Sequence, residues 1–405
     1  MKTAIVIGAG IGGIAAALRL SKKGYQVTVF ESNKYPGGKL SAFSLGHYRF
    51  DAGPSLFTMP HYVNELFELH NEKASDFFTY KKKKIACQYF WEDKTQVTAY
   101  TDPKLFLEEI QNKLGVKPEV LEKYLKRAKK KFDLAAPLFL EQSLHKFNGF
   151  LNVKTLRALI NLRLYEINQN LHAVNAAQLK EPHLVQMYDR YATYNGSSPY
   201  QTPGIMTLVQ HLEQEYGTFV PDGGMEQISR SLFELAKKKG ITFHLGQRVN
   251  QILVENGKAT GVKIKDQTLL ADIVLSNMDV FPTYKNLLKE IQPPKRILAQ
   301  ESSSSAVIFY WGIKRIFDQL DLHNIFFSQD YKAEFEAIFN RKNPSDDFTV
   351  YVNITSKDVP TDAPKGGENW FVMINTPADY GQDWDQIKNK LKEKTIAKIN
   401  RILKV

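Results

Sequence analysis

Cysteine is almost absent. Cys87 is the only one in 405 residues, so no disulfide can form within the chain and a reducing compartment is expected. No apolar run reaches the roughly 18 residues a membrane-spanning helix needs, which leaves a protein that is soluble or lies on a membrane face. There is no H-x-x-x-H pair, no Cys–His grouping at metal spacing and no G-x-S-x-G elbow, so no metal site is expected and the esterase triad has no carrier. The nine histidines are scattered, and each reads as structural. No internal repeat or low-complexity linker interrupts the chain. Acidic residues are in the minority, 43 against 54 lysines and arginines, and the resulting charge of +11 suits phosphates, in nucleic acid or in an anionic bilayer. Nucleic acid is the weaker partner, because no recognition motif is present and the lysines are spread over several helices.

What is present starts at the N-terminus. Ala4-Ile5-Val6-Ile7 is a short apolar run of the kind that fills a buried parallel strand. Gly8, Gly10 and Gly13 follow as G-x-G-x-x-G, with Gly12 inside the motif; helical spacing continues from Ile14 to Lys23. Gln26 to Phe30 is a second strand, and Glu31 stands at its end. In this pattern Gly8 permits a tight turn, Gly10 lets a pyrophosphate approach the backbone, and Gly13 lets helix and strand pack closely. The helix N-terminus offers unpaired N–H groups to the phosphates. Glu31 can accept from ribose hydroxyls and repels a 2′-phosphate, which disfavours NADP. The opening Met-Lys-Thr and apolar run imitate a signal peptide, but cleavage there would destroy the nucleotide site. A chain this long exceeds one hydrophobic core, and 43% hydrophobic with 12% aromatic residues is a globular composition.

Beyond Glu31 a second glycine pair, Gly37-Gly38, is followed directly by Lys39 and Leu40. A plain NAD site has no use for these, whereas a cofactor with a longer footprint does: glycines admit it closely and Lys39 offsets its charge. Phe50-Asp51-Ala52-Gly53-Pro54-Ser55 reads as a turn whose backbone lies against a flat ring system.

Together these runs resemble the FAD-dependent amine-oxidase-fold flavoproteins. Within that group they are most similar to the bacterial-type carotenoid (phytoene) desaturases. The resemblance continues through Tyr194-Asn195-Gly196-Ser197-Ser198-Pro199-Tyr200, His211-Leu212-Glu213, Phe219-Val220-Pro221-Asp222-Gly223-Gly224-Met225 and Ala271-Asp272-Ile273-Val274-Leu275-Ser276-Asn277. His323 to Ser328 and Glu368 to Asn375 lean toward the 3,4-desaturases of 1-hydroxylated carotenoids. The resemblance implies FAD as cofactor, a carotenoid as substrate, a backbone pairing of Val249 with adenine, and Asn277 near the nucleotide. It implies hydride transfer to flavin N5, which leaves a cation spread over the polyene. The proton then needs only a weak base, and the sequence identifies no catalytic residue for it. Relatives carry a C-terminal Gly-rich segment that closes the FAD site; here the chain stops at Val405 in a Lys-rich helix, and that segment is expected to be absent. Phytoene desaturase, amine oxidase and a non-catalytic lipid carrier on the same fold, like the prenyl-protein escort proteins, are the alternative readings.

The expected architecture is α/β (α+β). A Rossmann-like FAD-binding domain spans 1–60 with 220–285, a mixed-sheet substrate domain spans 61–117 with 286–405, and a helical subdomain spans 118–219. In the last, apolar residues from Val120 to Phe132 recur at helical spacing among lysines, and the apolar Leu134 to Leu140 is broken by Pro137. Leu156 to Ile167 continues as helix with Arg157 and Arg163. Such a segment suits a membrane interface, lysines toward acidic head groups, and places the protein in the cytoplasm, peripheral on the inner face of the cell membrane. Lys81 to Lys84 reads as a solvated loop, Val249 as a strand residue, and Ala306 to Gly312 as a buried strand.

Overall fold

The computed structural model describes residues 1–140 and 153–405. The chain divides into two compact units.

The first unit comprises Met1–Lys81, Phe219–Glu301 and Asp358–Lys365. Its centre is a parallel sheet in the order Ile273–Ser276, Thr3–Ile7, Gln26–Glu31, Thr242–Leu245. Side chains alternate across a strand, and here both faces are apolar. Val6, Val27 and Val29 pack with Ile14 and Leu18 of the helix Ile11–Lys22 and with Ile228, Leu232 and Leu235 of the helix Glu226–Lys238. Ile5, Ile7 and Phe30 point the other way, against Ile252, Val262 and Ile264 of a three-stranded antiparallel sheet. The Asn256-Gly257 pair turns that sheet with both residues at positive φ, +50° and +76°, as a type I′ hairpin requires. Asp51 accepts from the N–H groups of Met225 at 2.9 Å and Glu226 at 3.4 Å, placing a carboxylate at the start of the helix Glu226–Lys238. Arg49 ties Asp51 to Asp362, which anchors the distant segment Asp358–Lys365 in this unit.

The second unit comprises Lys82–Thr218, Ser302–Lys357 and Gly366–Val405. It holds a six-stranded mixed sheet, ordered Ser305–Ile313, Glu368–Thr376, Val350–Asn353, His323–Phe326, Ile85–Phe90, Gln96–Tyr100. One face packs Phe326, Val350, Val352 and Val372 against Leu391, Ile399 and Leu403 of the helix Trp384–Leu403. The other packs Tyr89, Val97, Ile325 and Phe327 against the helices Pro103–Leu114, Pro118–Phe139 and Pro182–Asp189.

Several sequence expectations are corrected. The helix Pro118–Phe139 runs through Pro137 instead of breaking there. The proline sits in the last turn, where one lost hydrogen bond is cheap, and buried Ala135, Ala136 and Leu138 hold the turn in place. The helix expected over Leu156–Ile167 is Val153–Ile160 followed by a 3₁₀ turn, Leu162–Tyr165, ended by Glu166 at φ +50°. Ser305–Ile313 is an edge strand with one neighbour, so it is half-buried where a fully buried strand is expected. The four-lysine run is no simple solvated loop: Lys81 pairs with Asp358 at 3.2 Å and Lys83 with Asp321 at 2.9 Å.

Candidate functional site

A cavity of about 700 Å³ opens in the first unit at the carboxyl ends of Thr3–Ile7, Gln26–Glu31 and Ile273–Ser276. Open α/β sheets bind ligands at such strand ends. Gly8, Gly10, Glu31, Gly38, Lys39, Leu40, Pro54, Val249 and Asn277 line it; Gly12, Gly13, Gly53 and Ser55 do not.

The glycine loop is shaped by missing side chains. Gly8 sits at φ +97° and donates to Phe30 O at 2.7 Å, which fixes the turn off the first strand. A Cβ on Gly13 would lie 2.0 Å from Gly8 O, so only glycine lets the helix approach the strand this closely. The helix begins at Ile11, three residues earlier than the spacing suggests, with Gly12 and Gly13 in its first turn. No side chain caps it and no acid stands in that turn, so its N–H groups remain available to an anion.

The second glycine pair serves to bring two loops together. Gly37 N–H donates to Ala9 O at 2.8 Å, and a Cβ on Gly38 would lie 3.2 Å from Gly10 Cα. Gly53 carries the arrangement further, since a Cβ there would fall 2.0 Å from Lys39 O. Asn277 lies over the first loop: its amide nitrogen would be 2.7 Å from a Cβ on Gly12, and its oxygen 3.1 Å from one on Gly10.

Glu31 is buried and braces the site. Its Oε2 accepts from Ala9 N–H at 2.8 Å, and Oε1 from Asn33 N–H at 2.8 Å and Ser32 Oγ at 3.1 Å. A carboxylate offers about four lone-pair positions, so acceptor capacity remains for a ribose hydroxyl. Lys39 is exposed on the cavity and, among the described residues, no carboxylate pairs with it. Val249 lies outside any strand, because the chain at Gly246 and Gln247 is held instead by Asn33 O and Glu31 O, both at 2.8 Å. Its own N–H and C=O have no backbone partner among the described residues. Phe30, Gln247, Arg248 and Met278 also line the cavity and were not singled out as site residues; each lies within two positions of one that was.

An uncapped helix start, a glycine cradle that any Cβ would fill, a carboxylate with spare acceptor capacity and an unpaired cation fit a dinucleotide. Residues 11–384 match the flavin containing amine oxidoreductase family. The chain belongs to that family. This flavin containing amine oxidoreductase is 55% identical over 405 residues to a 1-hydroxycarotenoid 3,4-desaturase of Flavobacterium sp. (strain P99-3), covering 100% of this chain and 83% of the relative. It is 32% identical over 415 residues to a 4,4′-diaponeurosporene oxygenase of Staphylococcus aureus (strain USA300), covering 97% and 81% of the two. An oxidoreductase from Methanosarcina mazei shares its fold, with a TM-score of 0.63 at 17% identity over 99% of this chain and 84% of that one. The protein is an FAD-dependent oxidoreductase. No helix among the described residues is long and apolar enough to cross a membrane.

Proposed function

We propose that the protein is a carotenoid desaturase that introduces a C=C bond at the 3,4-position of a 1-hydroxylated carotenoid, acyclic or of γ type. The observation that carries this reading is the 55% identity to the named desaturase, which extends over all 405 residues. FAD, when bound, supplies the hydride acceptor. The chain holds it in the cavity of the first unit. The loop Gly8–Gly13 and the helix start take the pyrophosphate, Glu31 takes ribose, and the free backbone of Val249 takes adenine. Gly38, Lys39 and Leu40, with Gly53, Pro54 and Ser55, flank the ring end, and Asn277 orders the glycine loop.

In this reading residues 1–60 with 220–285 bind FAD, 61–117 with 286–405 bind substrate, and 118–219 meet the inner face of the cell membrane from the cytoplasm. Support for the last comes from large apolar side chains left in solvent, Phe139 and Leu140 at 56%, Ile160 at 75% and Ile167 at 63% exposed. Exposed Lys123, Lys130 and Arg157 stand on the same helices. Apolar and basic residues so mixed suit an anionic interface.

The test is pigment analysis in a host that makes 1-hydroxylated carotenoids. One further conjugated double bond is the expected product, and an unchanged pigment would reject desaturation. Conversion of phytoene alone would favour phytoene desaturase. The similarity to the staphylococcal oxygenases favours one second reading, oxygenation of a carotenoid, which the same chromatogram would show as an oxygenated product.

A further inference from the structure

Away from the flavin cavity, the second unit carries a recess of about 690 Å³ between the start of the helix Pro118–Phe139 and the end of the helix Leu171–Leu179. Three lysines, Lys117, Lys123 and Lys180, line it. All three are exposed, and none forms an ion pair among the described residues. The one carboxylate on the lining, Glu181, is already engaged, by His183 Nδ1 at 2.8 Å and Leu184 N–H at 2.5 Å. Positive charge from three lysines therefore converges on a concave surface whose one carboxylate is already bonded to other groups. Mutual repulsion of like charges favours an arrangement that an anion relieves.

The backbone adds an independent observation. Lys180 sits at φ +64°, ψ −38°, and Glu181 N–H donates to Leu179 O at 2.8 Å across it. This makes Lys180 the centre of a classic γ-turn, a conformation that is rare and strained for any residue with a Cβ. The turn itself is explained by topology, since one helix ends at Leu179 and the next starts at Pro182. A lysine in it is not explained by topology, because glycine would adopt the same angles without strain. The turn sets Lys180 beside Lys117 and Lys123 on the lining of the recess.

We propose that this recess binds a phosphate-type anion, either free or presented as a lipid headgroup. The site is separate from the redox chemistry and does not depend on the desaturase reading.

The test uses the full-length flavoprotein. Sedimentation with phosphatidylcholine vesicles, with and without an anionic phospholipid, tests the headgroup source; calorimetric titration with inorganic phosphate tests the free anion. The paired variant Lys117→Gln/Lys123→Gln is compared with Lys258→Gln, an exposed lysine of the first unit that lies off the recess. Loss of anionic-vesicle binding by roughly fivefold per recess lysine, with Lys258→Gln near wild type, supports the site with a headgroup as its occupant. Saturable phosphate binding that disappears only in the paired variant supports it with a free anion. Absence of both, or an equal loss per charge in Lys258→Gln, overturns the proposal. Lys180→Gly gives a second readout: weaker anion binding with an unchanged or higher melting temperature is expected. A lower melting temperature would show that the lysine serves the fold, and would overturn the argument from strain.

Discussion

The two units use buried polar groups in opposite ways. Around the flavin cavity the close contacts are made by backbone atoms and by glycines that lack a side chain, even between segments as far apart in the chain as Gly12 and Asn277. In the second unit, ionic side chains are buried and find partners far away in the chain. Arg190 is buried, donates to Tyr89 Oη and to Glu213 Oε2, both at 2.8 Å, and lies 4.3 Å from the Tyr191 ring centre. Burial works against its charge, but Glu213, Tyr89 and Tyr191 more than offset this and raise its pKa well above the ordinary value. Lys131 is likewise buried, against Glu166, Thr207 Oγ1 at 2.6 Å and Gly204 O at 3.2 Å. The lesson is that the nucleotide site depends on close approach of backbone, whereas the core of the second unit depends on paired charges of buried side chains.

The sharpest way to break this contrast is to remove one member of a buried pair. Arg190→Met leaves the Glu213 carboxylate buried without its cation, and should cost about 3–5 kcal/mol in urea unfolding. A cost below about 1 kcal/mol would mean that the pair is solvated, and the contrast between the units would fail.

The backbone-built site answers to a different substitution. Gly13→Ala sets a methyl 2.0 Å from Gly8 O, a backbone atom that cannot move aside, and should cost about 3 kcal/mol and release the flavin. Gly24→Ala is the control. It is at φ +84° but has open space around it, so it should cost about 1 kcal/mol and leave the flavin in place. Absorbance of bound flavin after gel filtration, with melting temperature alongside, reads both. Equal effects would show that conformational strain, and not the close approach of helix to strand, sets the role of Gly13.

This difference explains what was legible in the sequence. Gly8, Gly10, Gly13 and Glu31 announce themselves because their spacing is set by one turn between strand and helix. The parallel sheet around them follows from two apolar runs and a βαβ connection. The Asn256-Gly257 hairpin is readable for the same local reason. The job of Gly38 was less accessible, since its close neighbour is Gly10 and the two meet only in the fold. The same holds for Arg190 and Tyr89, 101 positions apart, whose bond no local pattern encodes. Pro137 misleads because a proline is read as a helix breaker, whereas the packing of Leu138 decides the matter.

A smaller effect depends on pH. His323 is buried in the second unit's sheet, where Nδ1 accepts from Tyr351 Oη at 2.7 Å and Asn353 Nδ2 at 3.2 Å; Nε2 has no partner among the described residues. Burial, with Lys83 adding repulsion, pushes its pKa down to about 3. An unfolded histidine titrates near 6.5, so between these values the unfolded chain binds a proton that the folded chain does not. The stability contribution is therefore complete above about pH 6.5 and is lost as the pH falls toward 3, with a slope approaching 1.4 kcal/mol per unit. His70 and His211 are also lowered by burial and act in the same direction. His323→Gln should flatten the stability profile between pH 7 and pH 5 in denaturant titrations, while flavin retention stays unchanged over that range. A profile as steep as wild type would show that the ring is hydrated.

The smallest effect is expected at Lys39, and it tests the comparison from the cavity side. Lys131 in the second unit is enclosed by its partners, whereas Lys39 is exposed beside the flavin cavity and unpaired among the described residues. Water and salt screen a charge in that position, so its attraction for a cofactor phosphate or a reduced ring is worth about 0.5–1 kcal/mol. Lys39→Gln should accordingly weaken FAD binding by roughly two- to fivefold in fluorescence titrations, more at low ionic strength than at high. Lys39→Arg keeps the charge and should bind nearly as wild type. A hundredfold loss in Lys39→Gln, indifferent to salt, would place this lysine in a water-free contact with the cofactor. The cavity would then resemble the ion-paired core of the second unit more than a cradle made of backbone.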